Sequence, residues 1–252
     1  MAIEEAETCT PLPILRRLHL HLQTAPPTPL RREILLTLAT IEAGLLDASV
    51  YASLGRVFVA NMTGNIILLS IAIADLQIEV DVLPICVSLV AFFVGGLVTG
   101  LLERWTQQHE SGHARWFFAL ITLVDCTLNF VSTALVFTNV VVSEQLTGNM
   151  RLIIFALLAL GQGSQLVLTK RAGLPEFSNA VVMNIYLDLS TDRKLFHLWG
   201  DGVRSRNRRA VCLIALLIGS LIGGEIVKFK GFGIALVISA VISFVTSVGW
   251  IV

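Results

Sequence analysis

Charge is what this chain has least of for its length. Asp, Glu, Lys and Arg make up 14% of its 252 residues, against about a quarter in an ordinary soluble domain, and 18 basic residues balance 18 acidic ones. Without a net field, nucleic-acid binding loses its electrostatic basis. Of the four cysteines, Cys86, Cys126 and Cys212 lie in apolar runs and Cys9 stands alone near the start. With no CxxC pair, neither a disulfide framework nor a zinc site is indicated. The five histidines, His19, His21, His109, His113 and His197, all fall outside the apolar runs, which disfavours an intramembrane Ser–His dyad or a bis-histidine haem. His109 and His113 have the helical spacing of a metal pair, but Gly112 between them marks a solvated loop. The serine of "GQGSQ", 161–165, has no accompanying base, and no P-loop or GxGxxG is present. The chain reads as a non-enzyme with no cofactor and no metal.

Apolar residues are abundant, at 55%, with a mean hydropathy of +0.79. They gather in runs at 34–54, 82–102, 116–138, 152–169, 210–227 and 232–252, each near the ~20 residues that cross a bilayer core as a helix. The expected fold is an all-α polytopic integral membrane protein whose first partner is the lipid bilayer. Residues 1–32, with Glu4, Glu5, Glu7 and "APPTP", lack the basic region and apolar core of a signal peptide. They read as a flexible cytosolic tail in which 14–22 is either frayed, as the flanking prolines favour, or a short basic amphipathic helix on the membrane surface. Residues 33–252 read as one transmembrane domain.

Two segments, 57–74 and 177–190, are short or polar for full crossings, so the count is six or eight. Lys and Arg in short loops favour the cytoplasmic side. Six spans with the amino terminus inside leave only Arg56, Arg151, Lys228 and Lys230 outside, whereas eight spans move Arg104, Arg115, Lys170 and Arg171 out and only Arg151 in. The six-span plan, with two broken or re-entrant segments, fits better. It makes 191–209 a basic cytosolic loop facing anionic lipid or an acidic partner.

An internal repeat points the same way. "FVANMTGNIIL", 58–68, aligns without gaps on "FSNAVVMNIYL", 177–187, pairing Phe58 with Phe177 and Asn65 with Asn184, while Gly44 meets Gly163 at the same offset. "VGGLVTGLLER", 94–104, aligns on "IGSLIGGEIVK", 218–228, pairing Gly95 with Gly219 and Gly100 with Gly224. Three crossings in each half, about 34–138 and 151–252, make the repeat inverted, as in many secondary transporters. Four would make it parallel.

Polar groups inside spans carry the functional expectation. Irregular backbone survives at membrane depth only when protein or a wet cavity surrounds it. Asn61 or Thr63 suits a helix cap and Gly64 a close approach, so that 66–74 runs as a short half-helix beyond Asn65. Asn179 and Asn184 take the corresponding part in the second half, and the positive half-helix ends face a solute or anion. Asp47 joins Asn61, Thr63, Gly64, Asn65 and Asn184 as the candidate solute or ion site, because an intramembrane carboxyl is costly and by default functional. Glu42, Tyr51, Asp125 and Gln162 form a possible supporting network. Glu42 and Asp47, five residues apart, point about 140° apart on a helix and do not make a paired-carboxylate centre. Gly95, Gly96, Gly100, Gly219, Gly223 and Gly224 read as helix-packing seams between the halves.

The stretch "AGLLDASVYASLGRVFVANMTGNIILLSIAIA", 43–74, resembles the signature of the YoaK-like family of multi-pass membrane proteins, with Gly44, Asp47, Phe58, Asn61, Met62, Thr63, Gly64 and Asn65 in its pattern. The resemblance extends over about 35–250 and implies an integral membrane protein of about six spans. It brings no substrate or reaction. Val182 and Met183 stand where the second half of the family usually carries Thr-Gly. The leading expectation is a small secondary transporter or channel-like protein for a small solute or ion, a homodimer enlarging its core. The alternative is a non-transporting membrane scaffold or regulatory subunit that docks through 170–209.

Overall fold

A computed structural model describes residues 28–74, 81–109, 115–138, 149–177, 182–192 and 203–252. Cys9, the 14–22 segment, His19, His21, His113, Asn179, His197 and the basic run 193–202 lie outside the described residues. Eight α-helices are present among them: α1 Pro29–Leu54, α2 Met62–Ile73, α3 Val82–His109, α4 Arg115–Phe137, α5 Asn149–Arg171, α6 Val182–Ser190, α7 Val203–Lys230 and α8 Phe232–Ile251, with a 3₁₀ turn at Pro175–Phe177. Six of them, all but α2 and α6, are long and apolar enough to cross a membrane. At about 1.5 Å per residue, α2 spans roughly 18 Å and α6 roughly 14 Å, well short of a ~30 Å core.

Local chemistry sets the first break. Pro29 opens α1 at a position where its missing N–H costs nothing. Gly55 closes the helix at φ 122°, its N–H bonded to Tyr51 O, a left-handed conformation that glycine enters without a Cβ penalty. The tail thus ends earlier than the sequence suggests: Pro29–Arg32 are already helical, and Arg32 Nη1 bonds Ala172 O at 3.0 Å. The basic loop also ends earlier, because Val203–Arg209 form the first turns of α7. There Arg209 pairs with Asp188 at 3.3 Å and Ser205 bonds Glu176, so partners on neighbouring segments favour continued helix.

Helix directions follow from which residues meet. In α1 and α7, Glu33 pairs with Arg204 and Arg208, Ile41 lies against Gly219, and Leu45 against Gly223; both series ascend, so the helices are parallel. In α3 and α5, Gly95 lies against Leu160 and Arg171 bonds Thr106 at 3.0 Å, again parallel. In α4 and α8, Phe118 stacks on Trp250 with centroids 4.6 Å apart, Cys126 reaches Ala240 O, and Phe137 meets Gly233; the second series descends, so these two are antiparallel. Six alternating crossings require all three relations. Eight would have made α4 and α8 parallel.

Aligned positions of the two halves make matching contacts. A Cβ on Gly44 would collide with Leu216 O and one on Gly163 with Phe92 O, while Gly219 abuts Ile41 O and Gly95 abuts Leu160 O. Small residues let these backbones touch where lipid offers helices no hydrophobic drive to associate. Gly100 and Gly224 correct the sequence reading, since nothing lies within 4 Å of a Cβ placed on either. Both sit on the outward sides of α3 and α7 among exposed apolar residues such as Leu97, Leu101 and Leu221, where no neighbouring helix approaches.

Two apolar clusters fill the bundle, one around Leu36, Phe117, Phe118, Leu168 and Trp250, the other around Leu46, Leu54, Ile154, Phe155 and Leu236. Between them, at intermediate positions on α1, α4, α5 and α8, sits a belt of buried polar side chains: Glu42, Asp125, Asn129, Gln165, Ser239 and Ser243.

Candidate functional site

The break after α1 is an irregular loop, 55–61, whose Val57, Val59 and Ala60 are buried. Buried amides need acceptors, and two side chains supply them. Asp47 Oδ1 accepts from Val59 N at 2.8 Å and Ala60 N at 2.7 Å. Two consecutive N–H groups on one carboxylate oxygen form an anion nest occupied by the chain's own side chain. Asn65, fully buried, faces Phe58: its Oδ1 accepts from Phe58 N at 2.9 Å and its Nδ2 donates to Phe58 O at 2.7 Å. Ser88 of α3 donates to the same carbonyl at 2.7 Å. The carboxamide thus pairs with the Phe58 peptide as a neighbouring strand would.

Asn61 caps α2, its side chain accepting from Gly64 N at 3.1 Å, which satisfies one of the free donors of the first turn. Gly64 is needed for space, because a Cβ there would sit 2.8 Å from the Phe58 ring. Phe58 in turn stacks on Tyr51, centroids 4.8 Å apart. These residues surround a cavity of about 540 Å³, walled by Gly44, Asp47 and Tyr51 of α1, Asn61, Thr63 and Gly64 at the start of α2, Val182 at the start of α6, and Leu216 and Ser220 of α7. Thr63 and Val182 are aligned positions, so the two broken segments bring their first turns to the same space.

Four of the sequence-predicted residues, Asp47, Asn61, Thr63 and Gly64, therefore line one cavity, and Tyr51 joins them. Asn65 lies behind the wall as a brace. Asn184 is exposed and does not line the cavity. The anion expected at the half-helix ends is supplied by Asp47 itself, and no Lys or Arg is among the lining residues.

A second constellation joins helices distant in sequence. Glu42 Oε1 accepts from Asn129 Nδ2 at 2.8 Å, from Ser239 at 3.1 Å and from Ser243 at 2.6 Å. Asp125 Oδ2 lies 3.2 Å from the same Ser243 hydroxyl and accepts from Gln165 Nε2 at 3.3 Å. Ser243 has one proton for two carboxyl acceptors. Among the described residues no Lys or Arg ion-pairs with Glu42, Asp47 or Asp125. Two carboxyl groups on one hydroxyl in a low-dielectric interior cannot both be ionised cheaply. Gln162, the fourth network residue named from sequence, lines a separate space of about 30 Å³ with Thr40, Gln165 and Thr169, room for about one water. Sequence reasoning named Glu42, and Asp125 together with Asn129, but not their proximity to one another, and it missed Ser239 and Ser243. The signal was present: Ser239 and Ser243 are four residues apart, on one face of α8. The serine of "GQGSQ", Ser164, bonds Gly95 O and Leu160 O and serves packing.

Against known proteins, the chain is 28% identical over 197 residues to the UPF0700 transmembrane protein YoaK of Bacillus subtilis (strain 168), covering 76% of this chain and 82% of that protein. No solved structure matches it. The family described as Protein of unknown function (DUF1275) matches residues 35–249, from the first turns of α1 through nearly all of α8. The chain is therefore a multi-pass membrane protein that belongs to this YoaK-like family.

Proposed function

We propose that the protein is a small secondary transporter, and not an enzyme, for an uncharged or cationic small solute bound in the cavity beside Asp47. The observation that carries the reading is that cavity: it borders Leu216, close to the middle of α7, and collects the first turns of both broken segments. A solute site at mid-depth between discontinuous helices is the plan of carriers built from inverted halves. The antiparallel α4–α8 pair and the matched glycine contacts, Gly44 with Leu216 and Gly163 with Phe92, support such halves. The end bearing Arg32, Arg171, Arg204 and Arg208 is the cytoplasmic one on this reading.

Charge selects the solute class. The lining holds a carboxylate and no basic residue, so an anion would meet like charge without a partner. The stacked Tyr51 and Phe58 rings offer an aromatic face to an organic cation. Glu42 and Asp125, which share the Ser243 hydroxyl inside the bundle, are the candidate relay for a coupling proton on this reading.

Uptake into proteoliposomes tests the reading with a panel of alkali cations, small ammonium compounds, polyols and carboxylates. The wild-type protein is expected to move at least one cation or polyol. Thr63→Trp, which places an indole in the cavity, and Asp47→Asn are expected to abolish or reshape that flux while the protein still purifies as a folded species. Absence of flux and of ligand-induced stabilisation across the panel contradicts the proposal and favours the scaffold role.

A further inference from the structure

At the arginine-rich end, α1 and α7 leave a groove of about 310 Å³ between them, lined by Leu30, Glu33 and Ile34 of α1 and by Arg204, Arg208 and Val211 of α7. All four guanidinium contacts fall on one oxygen: Glu33 Oε1 receives Arg204 at 3.1 and 2.9 Å and Arg208 at 2.8 and 2.5 Å. One carboxylate therefore anchors two guanidinium groups, and the triad keeps one net positive charge. Asn207, also in the lining, adds an amide to the same face. The walls change character with depth. Ile34 and Val211, 52% and 42% exposed, follow Glu33 and Arg208 along two parallel helices, and the next residues on both, Leu35 and Leu36 of α1 and Leu213 and Ile214 of α7, are apolar.

We propose that this groove binds the headgroup of an anionic phospholipid. The phosphate sits against Arg204 and Arg208, whose planar forks suit phosphate oxygens, and the acyl chains run down the apolar walls of α1 and α7. Basic pockets between transmembrane helices on the cytoplasmic side bind acidic headgroups by this chemistry. Glu33 keeps the two arginines parallel when no lipid is present. The groove is separate from the cavity at Asp47, and the inference does not depend on transport.

The test uses the full chain in nanodiscs of phosphatidylcholine with or without phosphatidylglycerol, reading retained lipid by native mass spectrometry and unfolding temperature in parallel. Phosphatidylglycerol is expected to be retained and to raise the unfolding temperature. Arg204→Gln is expected to weaken retention about fivefold, the equivalent of about 1 kcal/mol for one basic residue at a membrane surface. Lys228→Gln with Lys230→Gln, at the opposite end, should leave retention unchanged. Glu33→Gln keeps an acceptor for the arginines while adding a unit of net positive charge, and it should strengthen retention by a similar factor even if the arginine variants fold poorly. Equal loss from the Lys228 and Lys230 changes, no gain with Glu33→Gln, or equal protection by inorganic phosphate in phosphatidylcholine alone each overturns the proposal.

Discussion

Asp125 occupies the space that a side chain on Gly161 would need: a Cβ built on this glycine of α5 would collide with Asp125 Oδ1. The carboxyl cannot retreat, because Gln165 and Ser243 hold its other oxygen. Gly161→Ala is therefore expected to destabilise the fold by about 1–3 kcal/mol, the usual cost of overpacking. Gly100→Ala and Gly224→Ala, which meet open space, should be neutral or raise stability by about 0.5–1 kcal/mol through helix propensity. Thermal unfolding of the detergent-solubilised variants checks the contrast.

Asp47→Ala should be among the most damaging single changes in α1. It strands the Val59 and Ala60 amides in a buried loop, at about 1–3 kcal/mol for each unsatisfied group. Asp47→Asn keeps an acceptor oxygen and should cost much less stability. Chemical denaturation in micelles is expected to rank wild type, Asn and Ala in that order, and equal stability for the Asn and Ala variants would refute the nest.

Asn65 and Ser88 share one acceptor unequally. Asn65→Ala removes the acceptor of Phe58 N and one donor to Phe58 O, whereas Ser88→Ala leaves that carbonyl its bond from Asn65. Asn65→Ala should lower stability by about 2–4 kcal/mol and Ser88→Ala by about 1 kcal/mol. Hydrogen exchange at the amides of residues 57–60 should rise far more in the first variant.

Much of this architecture was legible because it depends on local pattern. Six apolar runs of spanning length became α1, α3, α4, α5, α7 and α8; cap chemistry pointed to Asn61 or Thr63, and the structure gives the cap to Asn61, so α2 starts at Met62, earlier than the expected 66. Gly95 and Gly219 were readable as seams, since one turn of small residues is enough to admit another backbone. Gly100 and Gly224 look the same in sequence and face outward, because the side of a helix that meets a neighbour is set by tertiary crossing. The Glu42–Asp125 contact joins residues far apart along the chain and depends on how α1, α4 and α8 cross, which no local spacing encodes. Asn184 misled because it was read as the counterpart of Asn65 from four matched positions, although Val182 and Met183 stand where Thr63 and Gly64 precede Asn65.

Thiol accessibility tests the central claim most directly, that the space between Asp47 and the starts of α2 and α6 is wet and open to solutes. The measurement is the reaction of a charged, membrane-impermeant thiol reagent with Thr63→Cys in sealed vesicles, with Cys9 and Cys86 replaced by serine and Cys126 and Cys212 retained as buried thiols. The account predicts modification at a rate set by water, slowed by the transported solute and by Asn61→Trp. No modification from either side of the membrane, under conditions where a cysteine at Arg151 reacts, would contradict it.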